Sequence, residues 1–133
     1  MPIALTVERT LLDISRRFRI RGVWYDPYQM QAVAQRLARA GIKLVEFPQT
    51  STNLTAASQN LFEVIEGQNI IAYPDAGIRL ALARTIAIET SRGWRIGKDK
   101  QVHKIDVVVA LAMACYAAVK SAGEYEYILE AMC

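Results

Sequence analysis

The stretch from Gly22 to Phe47, GVWYDPYQMQAVAQRLARAGIKLVEF, predicts a strand, a helix and a second strand in succession. Residues 23–25 are short, β-branched and aromatic, as buried strands are, and residues 43–47 have the same character. Between them, apolar residues recur on one helix face and the helix ends at Gly41. The members of that face are Met30, Val33, Ala34 and Leu37. A helical crossover of this size joins parallel strands, so the stretch predicts an α/β fold with a parallel sheet.

Asp26 lies where the first apolar run stops, and two interpretations of it are open. Asp26, Pro27 and Gln29 have the order of an N-cap, a first-turn proline and a capping-box residue. Such a cap stabilises a helix by about 1 kcal/mol and needs only local backbone donors. Alternatively, Asp26 follows a parallel strand, at the edge where open α/β sheets bind ligands. The stretch alone favours the cap over a ligand.

The remainder of the chain is predicted to be mostly helical. Apolar spacing predicts further helices over residues 5–19, 55–66, 75–89 and 105–123, the third of them capped by Asp75. Residues 51–53 are predicted to be a polar loop and residues 69–73 a short extended piece. We expect a single domain over residues 1–133, with its core at about 5–121 and a tail at 122–133.

Composition narrows the class of protein. Hydrophobic residues make up 53% and charged ones 22%, which fits a globular protein. The net charge of +3 permits a polyanionic partner. Cys115 and Cys133 have no metal-ligand or disulfide-framework spacing. The longest apolar run, residues 107–119, is shorter than the roughly 20 residues that a membrane span needs, and no signal peptide is visible. We therefore expect no membrane partner and a cytoplasmic location.

A basic segment lies between residues 92 and 104, where Gly93, Gly97 and Trp94 favour a hairpin or loop. Its cations are Arg92, Arg95, Lys98, Lys100 and Lys104. They could contact a nucleic-acid backbone without reading sequence, or they could form a solvated loop. His103, the only histidine, is expected to be solvated or to face phosphate rather than to act in catalysis.

Asp106 opens the last apolar helix, in HKIDVVVALAMA, and it has the same two interpretations as Asp26. Dinucleotide, P-loop, serine-hydrolase and zinc-protease motifs are absent from the sequence. Two aspartates far apart in sequence would suit a hard cation such as Mg²⁺, which is held by oxygen ligands and often by only one or two carboxylates.

The ordered set of motifs resembles the C-terminal nuclease region of tailed-phage terminase large subunits over about residues 5–120. The motifs are VWYDPYQ, GIKLVEFPQ, EVIEGQNI and GWRIGKDKQVHKIDVVVALAMACYAA. The resemblance implies an RNase H-like fold, a mixed sheet flanked by helices, and cleavage of double-stranded DNA during packaging. It matches Asp26 to the acid that ends the fourth strand and Asp106 to the acid on the final helix, both as catalytic ligands of two Mg²⁺ or Mn²⁺ ions.

The chain departs from that family at its start. The family's first carboxylate lies on a strand of a three-strand meander, upstream of the helix predicted at residues 5–19. Glu8 and Asp13 lie on that helix and Glu46 is expected to face solvent, so none of them replaces it. The ATPase motor region is absent too. We therefore expect a partial RNase H-like domain from a phage or prophage gene, with weak or no nuclease activity in isolation.

The resemblance also bears on partners and on alternatives. Double-stranded DNA is the expected partner, and the small terminase subunit and the portal are further candidates. A non-catalytic nucleic-acid or packaging-complex binding module is the main alternative. Other RNase H-like families, such as resolvases and transposases, share the acids but fit VWYDPYQ and KIDVVVALAMA less well.

Overall fold

The computed structural model describes residues 3–132, and the side chains of residues 5–122. The chain divides into two compact units, Met1–Gln49 and Thr50–Cys133, called here the first and the second unit. Within residues 3–132, no helix combines the length and the apolar character needed to cross a membrane. The prediction of one domain stays a prediction.

Over residues 3–49, the first unit contains two helices and a parallel pair of strands. In chain order these are α1 (Ile3–Arg17), β1 (Val23–Tyr25), α2 (Gln31–Arg39) and β2 (Leu44–Glu46). The strands pair in parallel, with Val23 opposite Leu44 and Tyr25 opposite Glu46. The strand, helix and strand predicted from residues 22–47 are therefore confirmed, together with their parallel pairing.

The core of the first unit forms around α2. Val33, Leu37 and Ile42 are buried. Partly buried apolar residues from α1, from both strands and from the connections pack against them: Val7, Leu11, Leu12, Ile20, Val23, Met30 and Leu44. On the outside, Arg36 Nε donates to Glu8 Oε2 at 2.9 Å. Because this ion pair is exposed, it adds at most about 1 kcal/mol, and apolar burial holds α1 on α2.

The start of α2 differs from the capping prediction. The helix begins at Gln31, and Met30 at its N-cap position makes no side-chain capping hydrogen bond. A turn precedes it, in which the Met30 N–H donates to the Pro27 carbonyl at 3.2 Å. Gln29 has a φ of 57°, in the left-handed region, which a right-handed helix cannot include. Asp26 is therefore not the cap of this helix.

In the described part of the second unit, residues 50–132, there are three helices and a hairpin. They are α3 (Ser51–Glu66), α4 (Ala76–Ala83), β3 (Thr85–Thr90), β4 (Gly93–Lys98) and α5 (Asp106–Met132). α3 begins earlier than predicted, because Thr50 caps it by accepting a hydrogen bond from the Asn53 N–H at 3.2 Å. The polar loop expected at residues 51–53 is its first turn. No strand forms at residues 69–73, and α5 continues past Gly123.

The helix predicted over residues 75–89 is wrong in its second half. Asp75 does cap it, since its Oδ1 accepts from the Ile78 N–H at 2.9 Å. The helix ends at Ala83, and Thr85–Thr90 is the strand β3 instead. Ile78, Leu82 and Ile86 have helical spacing, but the segment TIAIET is rich in β-branched residues. Pairing with β4 decides in favour of the strand.

The hairpin of β3 and β4 packs on α3 and contains the segment that was predicted to be a basic hairpin or loop. The strands are antiparallel, from Thr85 opposite Lys98 to Thr90 opposite Gly93. Gly93 has a φ of +134°, a backbone conformation in which a residue with a side chain would be strained. The Ile96 N–H donates to Ser58 Oγ at 2.9 Å, and the Trp94 ring meets Phe62 edge-on at 5.9 Å. These contacts hold the outer edge of β4 against α3.

Candidate functional site

Asp26 lies at the carboxyl end of β1, half-buried, with one local hydrogen bond. Its Oδ1 accepts from the Tyr28 N–H at 3.3 Å. That contact is long for a hydrogen bond and turns the chain after the strand rather than starting α2. A carboxylate that accepts one such bond keeps most of its lone-pair capacity. The position is the one at which parallel sheets bind ligands.

Glu46 brings a second carboxylate to the same edge of the sheet. It ends β2 and is exposed, as the sequence predicted, and it stands opposite Tyr25 in the parallel register. The pKa of Tyr25 is raised, first by partial burial and then by the Glu46 carboxylate, which repels the phenolate and accepts a hydrogen bond from the phenol. The strand assignments alone could have placed Glu46 beside Tyr25, one residue from Asp26.

Glu46→Gln is expected to lower the pKa of Tyr25 toward its ordinary value near 10, without reaching it because burial remains. In the native protein the folded pKa is the higher one. The stabilisation from neutral Tyr25 is therefore complete below about pH 10 and is lost as the pH rises through the folded pKa. Phenolate absorbance during an alkaline titration measures the pKa, and Tyr25→Phe identifies the signal. An unchanged Tyr25 titration in Glu46→Gln would contradict the contact.

Asp106 is the first residue of α5 in the second unit, and its side chain is exposed. The Val108 and Val109 N–H groups donate to the Ile105 carbonyl at 2.9 and 3.1 Å. In the part of the chain that the structure describes, no hydrogen bond reaches the Asp106 carboxylate, so it does not cap α5 through its side chain. The carboxylate is thus available to an external cation.

His103 lies three residues before Asp106, in the loop that leads into α5. Its side chain is half-buried, and Nδ1 is buried without a hydrogen-bond partner among the described residues. Its backbone N–H donates to the Lys100 carbonyl at 2.9 Å. Buried polar atoms without partners are uncommon. His103 is therefore a side chain to substitute alongside Asp106, and the expectation that it is solvated or faces phosphate stays a prediction.

The five cations proposed to contact DNA do not share one face of the hairpin. Arg92, Lys98, Lys100 and Lys104 are exposed. Arg95 is half-buried in β4, and its guanidinium donates to the Ile96 carbonyl at 3.4 Å. Because side chains alternate along a strand, Arg95 and Lys98 point to opposite faces. Four cations are thus free to meet solvent or a polyanion, and Arg95 is partly committed to its own strand.

Asp26 belongs to the first unit and Asp106 to the second. Across the side chains of residues 5–122, no three His, Cys, Asp or Glu residues gather as a metal-binding group. An apolar cleft of about 410 Å³ in the second unit, lined by residues such as Phe62, Leu82 and Trp94, contains no acid. A shared metal site made of Asp26 and Asp106 remains a prediction.

Comparison with known proteins identifies the fold. A family model described as the terminase large subunit, endonuclease domain, matches residues 4–122. The crystal structure of the HK97 bacteriophage large terminase superposes with a TM-score of 0.72 at 18% identity, covering 86% of this chain. The chain spans 24% of that terminase. A search of curated proteins found no match. The structural likeness confirms the expected mixed α/β, RNase H-like fold.

Proposed function

This chain belongs to the family of terminase large subunit endonuclease domains, and on that premise we propose that it is the C-terminal nuclease part of a phage or prophage terminase. The proposed reaction is divalent-ion-dependent cleavage of double-stranded DNA during genome packaging. The family match over residues 4–122 is the observation that carries the proposal. The chain spans only a quarter of the HK97 terminase, so packaging itself, the small subunit, the portal and the host cytoplasm belong to the same proposal.

Asp26 and Asp106 are the proposed ligands of Mg²⁺ or Mn²⁺. Both are carboxylates, the oxygen donors that these ions prefer, and Mg²⁺ often takes only one or two of them. Their local hydrogen bonding supports the role, since Asp26 accepts one long bond and Asp106 none from the described residues. When bound, such ions would supply an activated water and would neutralise the leaving oxygen. The exposed cations near β4 would contact the DNA backbone.

The nuclease site is proposed to be incomplete in these 133 residues, for want of the family's first carboxylate. The contacts of the other acids in the first unit support this. Glu8 is paired with Arg36 on the outer surface of α1 and α2. Glu46 interacts with Tyr25, and Asp13 lies exposed on α1. Glu8 and Asp13 thus belong to α1, away from the carboxyl edge of the sheet, and Glu46 at that edge is engaged by Tyr25, so we expect the isolated chain to be weakly active or inactive.

Manganese titration tests the metal site. We expect Mn²⁺ to broaden the amide resonances around both Asp26 and Asp106, because a paramagnetic ion relaxes nearby nuclei. If both aspartates hold the same ions, Asp26→Asn should raise the Mn²⁺ concentration that broadens the resonances around Asp106 by at least tenfold. Tenfold is the lower end of the loss in metal affinity when even a supporting residue is removed. The measurement is a heteronuclear NMR titration of the whole chain.

Asp75→Asn is the matched control for that titration. Asp75 is also a carboxylate at the start of a helix, but its Oδ1 is occupied by the Ile78 N–H. Asparagine caps helices as well as aspartate does, so the fold should be kept. Broadening around Asp75 equal to that around Asp26 and Asp106 would mean unspecific binding to surface acids. Broadening at neither catalytic candidate would reject the metal site.

A DNA-binding module without chemistry is the second candidate function. The observation that favours it is the exposed set of Arg92, Lys98, Lys100 and Lys104. Such a module would bind duplex DNA with strong salt dependence and would show no effect of Mn²⁺ around Asp26 or Asp106.

A further inference from the structure

The positive charge of this protein is concentrated in the first unit. Residues 1–49 contain eight Arg and Lys against four Asp and Glu, a net charge of +4. Residues 50–133 contain eight against nine, a net charge of −1. The basic segment at residues 92–104 therefore lies in a unit that is otherwise acidic. The excess of positive charge belongs to the first unit, and the fold of that unit determines where its cations lie.

Six cations belong to the end of the first unit at which both strands begin. We call them the amino-edge surface: Arg16, Arg17, Arg19, Arg21, Arg39 and Lys43, all exposed. The first two are in the last turn of α1 and Arg39 is in the last turn of α2. The others lie in the connections that lead into β1 and β2. The Val23 N–H donates to the Lys43 carbonyl at 2.9 Å, which brings the two connections together.

The acids of the first unit lie mostly away from this surface. Asp26 and Glu46 are at the carboxyl ends of the strands, the opposite edge of the sheet. Glu8 is paired with Arg36, and Asp13 lies one turn before Arg17. Six of the eight cations of this unit are thus at the amino edge of the sheet, while two of its four acids are at the carboxyl edge.

Helix dipoles account for only part of the amino-edge surface. Cations at the carboxyl end of a helix are stabilised by about 0.3–1 kcal/mol, which covers Arg16, Arg17 and Arg39. Arg19, Arg21 and Lys43 lie outside the helices and gain little from this effect. Phe18 is among them, 62% exposed, with the Arg17 guanidinium 5.7 Å from its ring centre. This cation–π contact is worth about 0.5–1 kcal/mol at an exposed site, and it holds the Arg17 guanidinium at the surface.

We propose that the amino-edge surface binds the phosphate backbone of duplex DNA, at the sheet edge opposite Asp26. The identity of the ligand rests on the proposed function. Duplex DNA carries about one negative charge per 1.7 Å, so it can engage several of these cations at once. Five of the six are arginines, whose planar forks bind phosphate oxygens in pairs. The contact is independent of base sequence and separate from the cleavage edge.

Binding of a 30-base-pair duplex by the whole chain, followed by fluorescence anisotropy between 50 and 200 mM salt, tests the proposal. The double variant Arg19→Gln with Lys43→Gln should weaken binding on the order of tenfold. It should also reduce the slope of log K against log salt by about 1.8, or about 0.9 for each phosphate that the variant no longer neutralises. The matched control is Arg9→Gln with Arg79→Gln, which removes the same charge from exposed positions on α1 and α4. Circular dichroism verifies that both variants are folded.

The outcomes separate this proposal from the proposed nuclease function. Equal affinities and slopes for the two double variants would overturn it. A wild-type chain that does not bind the duplex at 50 mM salt would also overturn it. Binding to polyglutamate is measured in the same way. An amino-edge variant that still binds DNA and loses only its binding to polyglutamate would overturn the proposal too, because it would indicate an acidic protein partner. The manganese titration reads Asp26 and Asp106 independently. Weakened DNA binding without any manganese effect would therefore support the amino-edge surface while rejecting the proposed metal site of Asp26 and Asp106.

Discussion

Replacing Leu37 by alanine is expected to lower the free energy of unfolding of the first unit by about 2–5 kcal/mol, the range measured for buried leucines. Leu37 is 1% exposed and packs with Val33 and Ile42 at the centre of that unit's core. The loss combines the transfer of its side chain to water with a cavity that the neighbours fill only in part. Since small domains are stable by about 5–15 kcal/mol, much of the unit would be unfolded at moderate denaturant concentrations.

Urea unfolding followed by Trp24 fluorescence measures this loss, in a Trp94→Phe background so that the signal comes from the first unit alone. Leu5→Ala is the control, because Leu5 lies on α1 of the same unit and is 49% exposed. Its cost should stay below about 1 kcal/mol. Equal losses for the two leucines would mean that the core of the first unit is not organised around α2.

Supercoiled plasmid incubated with the isolated chain and Mn²⁺ is expected to remain uncut or nearly so. Two-metal cleavage needs ions held in fixed geometry, and the proposed site has only Asp26 and Asp106 as protein ligands. Any residual nicking should fall by about a hundredfold or more in Asp106→Asn, since even residues that support a metal ligand are worth 10–100-fold. Gel electrophoresis of the nicked and linear forms over time gives the rate.

Asp75→Asn should leave any residual nicking unchanged, because the Asp75 side chain caps α4. Clear cleavage by the native chain that disappears in Asp106→Ala would contradict the incomplete site, and would show that another group does the work of the first carboxylate. Cleavage that survives Asp106→Ala would point to a contaminating nuclease. Adding His103→Ala to the series would report whether the half-buried imidazole before Asp106 contributes to a nuclease site.

The strand-helix-strand stretch could be predicted because its signals are local and agree. Val33, Ala34 and Leu37 recur at helical spacing and are buried, while β1 and β2 are short apolar segments on either side of the helix. A crossover of that length restricts the strands to a parallel arrangement. Recognition of the family followed from motifs in a fixed order, which need no knowledge of contacts.

The sequence predictions were wrong where one segment satisfied two local patterns at once. The order of Asp26, Pro27 and Gln29 predicts a helix start. The backbone of Gln29 is in the left-handed region, however, and α2 begins only at Gln31. Ile78, Leu82 and Ile86 have helical spacing, but residues 85–90 pair with β4. In both cases the pattern is present in the sequence and the backbone has a different conformation, and Leu82 and Ile86, which were expected to be buried, are exposed. The turn after β1 is held by the Met30 N–H to Pro27 carbonyl bond, which no composition rule identifies.

The candidate site was predictable in its residues and not in their surroundings. Asp26 and Asp106 were found from their places at element boundaries. Only the structure shows that neither carboxylate caps the helix that follows it, and that Glu46 contacts Tyr25 at the edge where Asp26 lies. The basic segment was found from composition, but the opposite orientation of Arg95 and Lys98 depends on their places in β4.

The sequence by itself determined most helices, both parallel strands and the family, because apolar periodicity and motif order are properties of the chain taken a few residues at a time. The tertiary structure decided whether residues 85–90 are a strand, where α2 begins, and that the cations of the first unit gather at the amino edge of its sheet. The physical reason is that strand hydrogen bonds and charge clusters join residues distant in sequence, and their free energy appears only once the partner is in place.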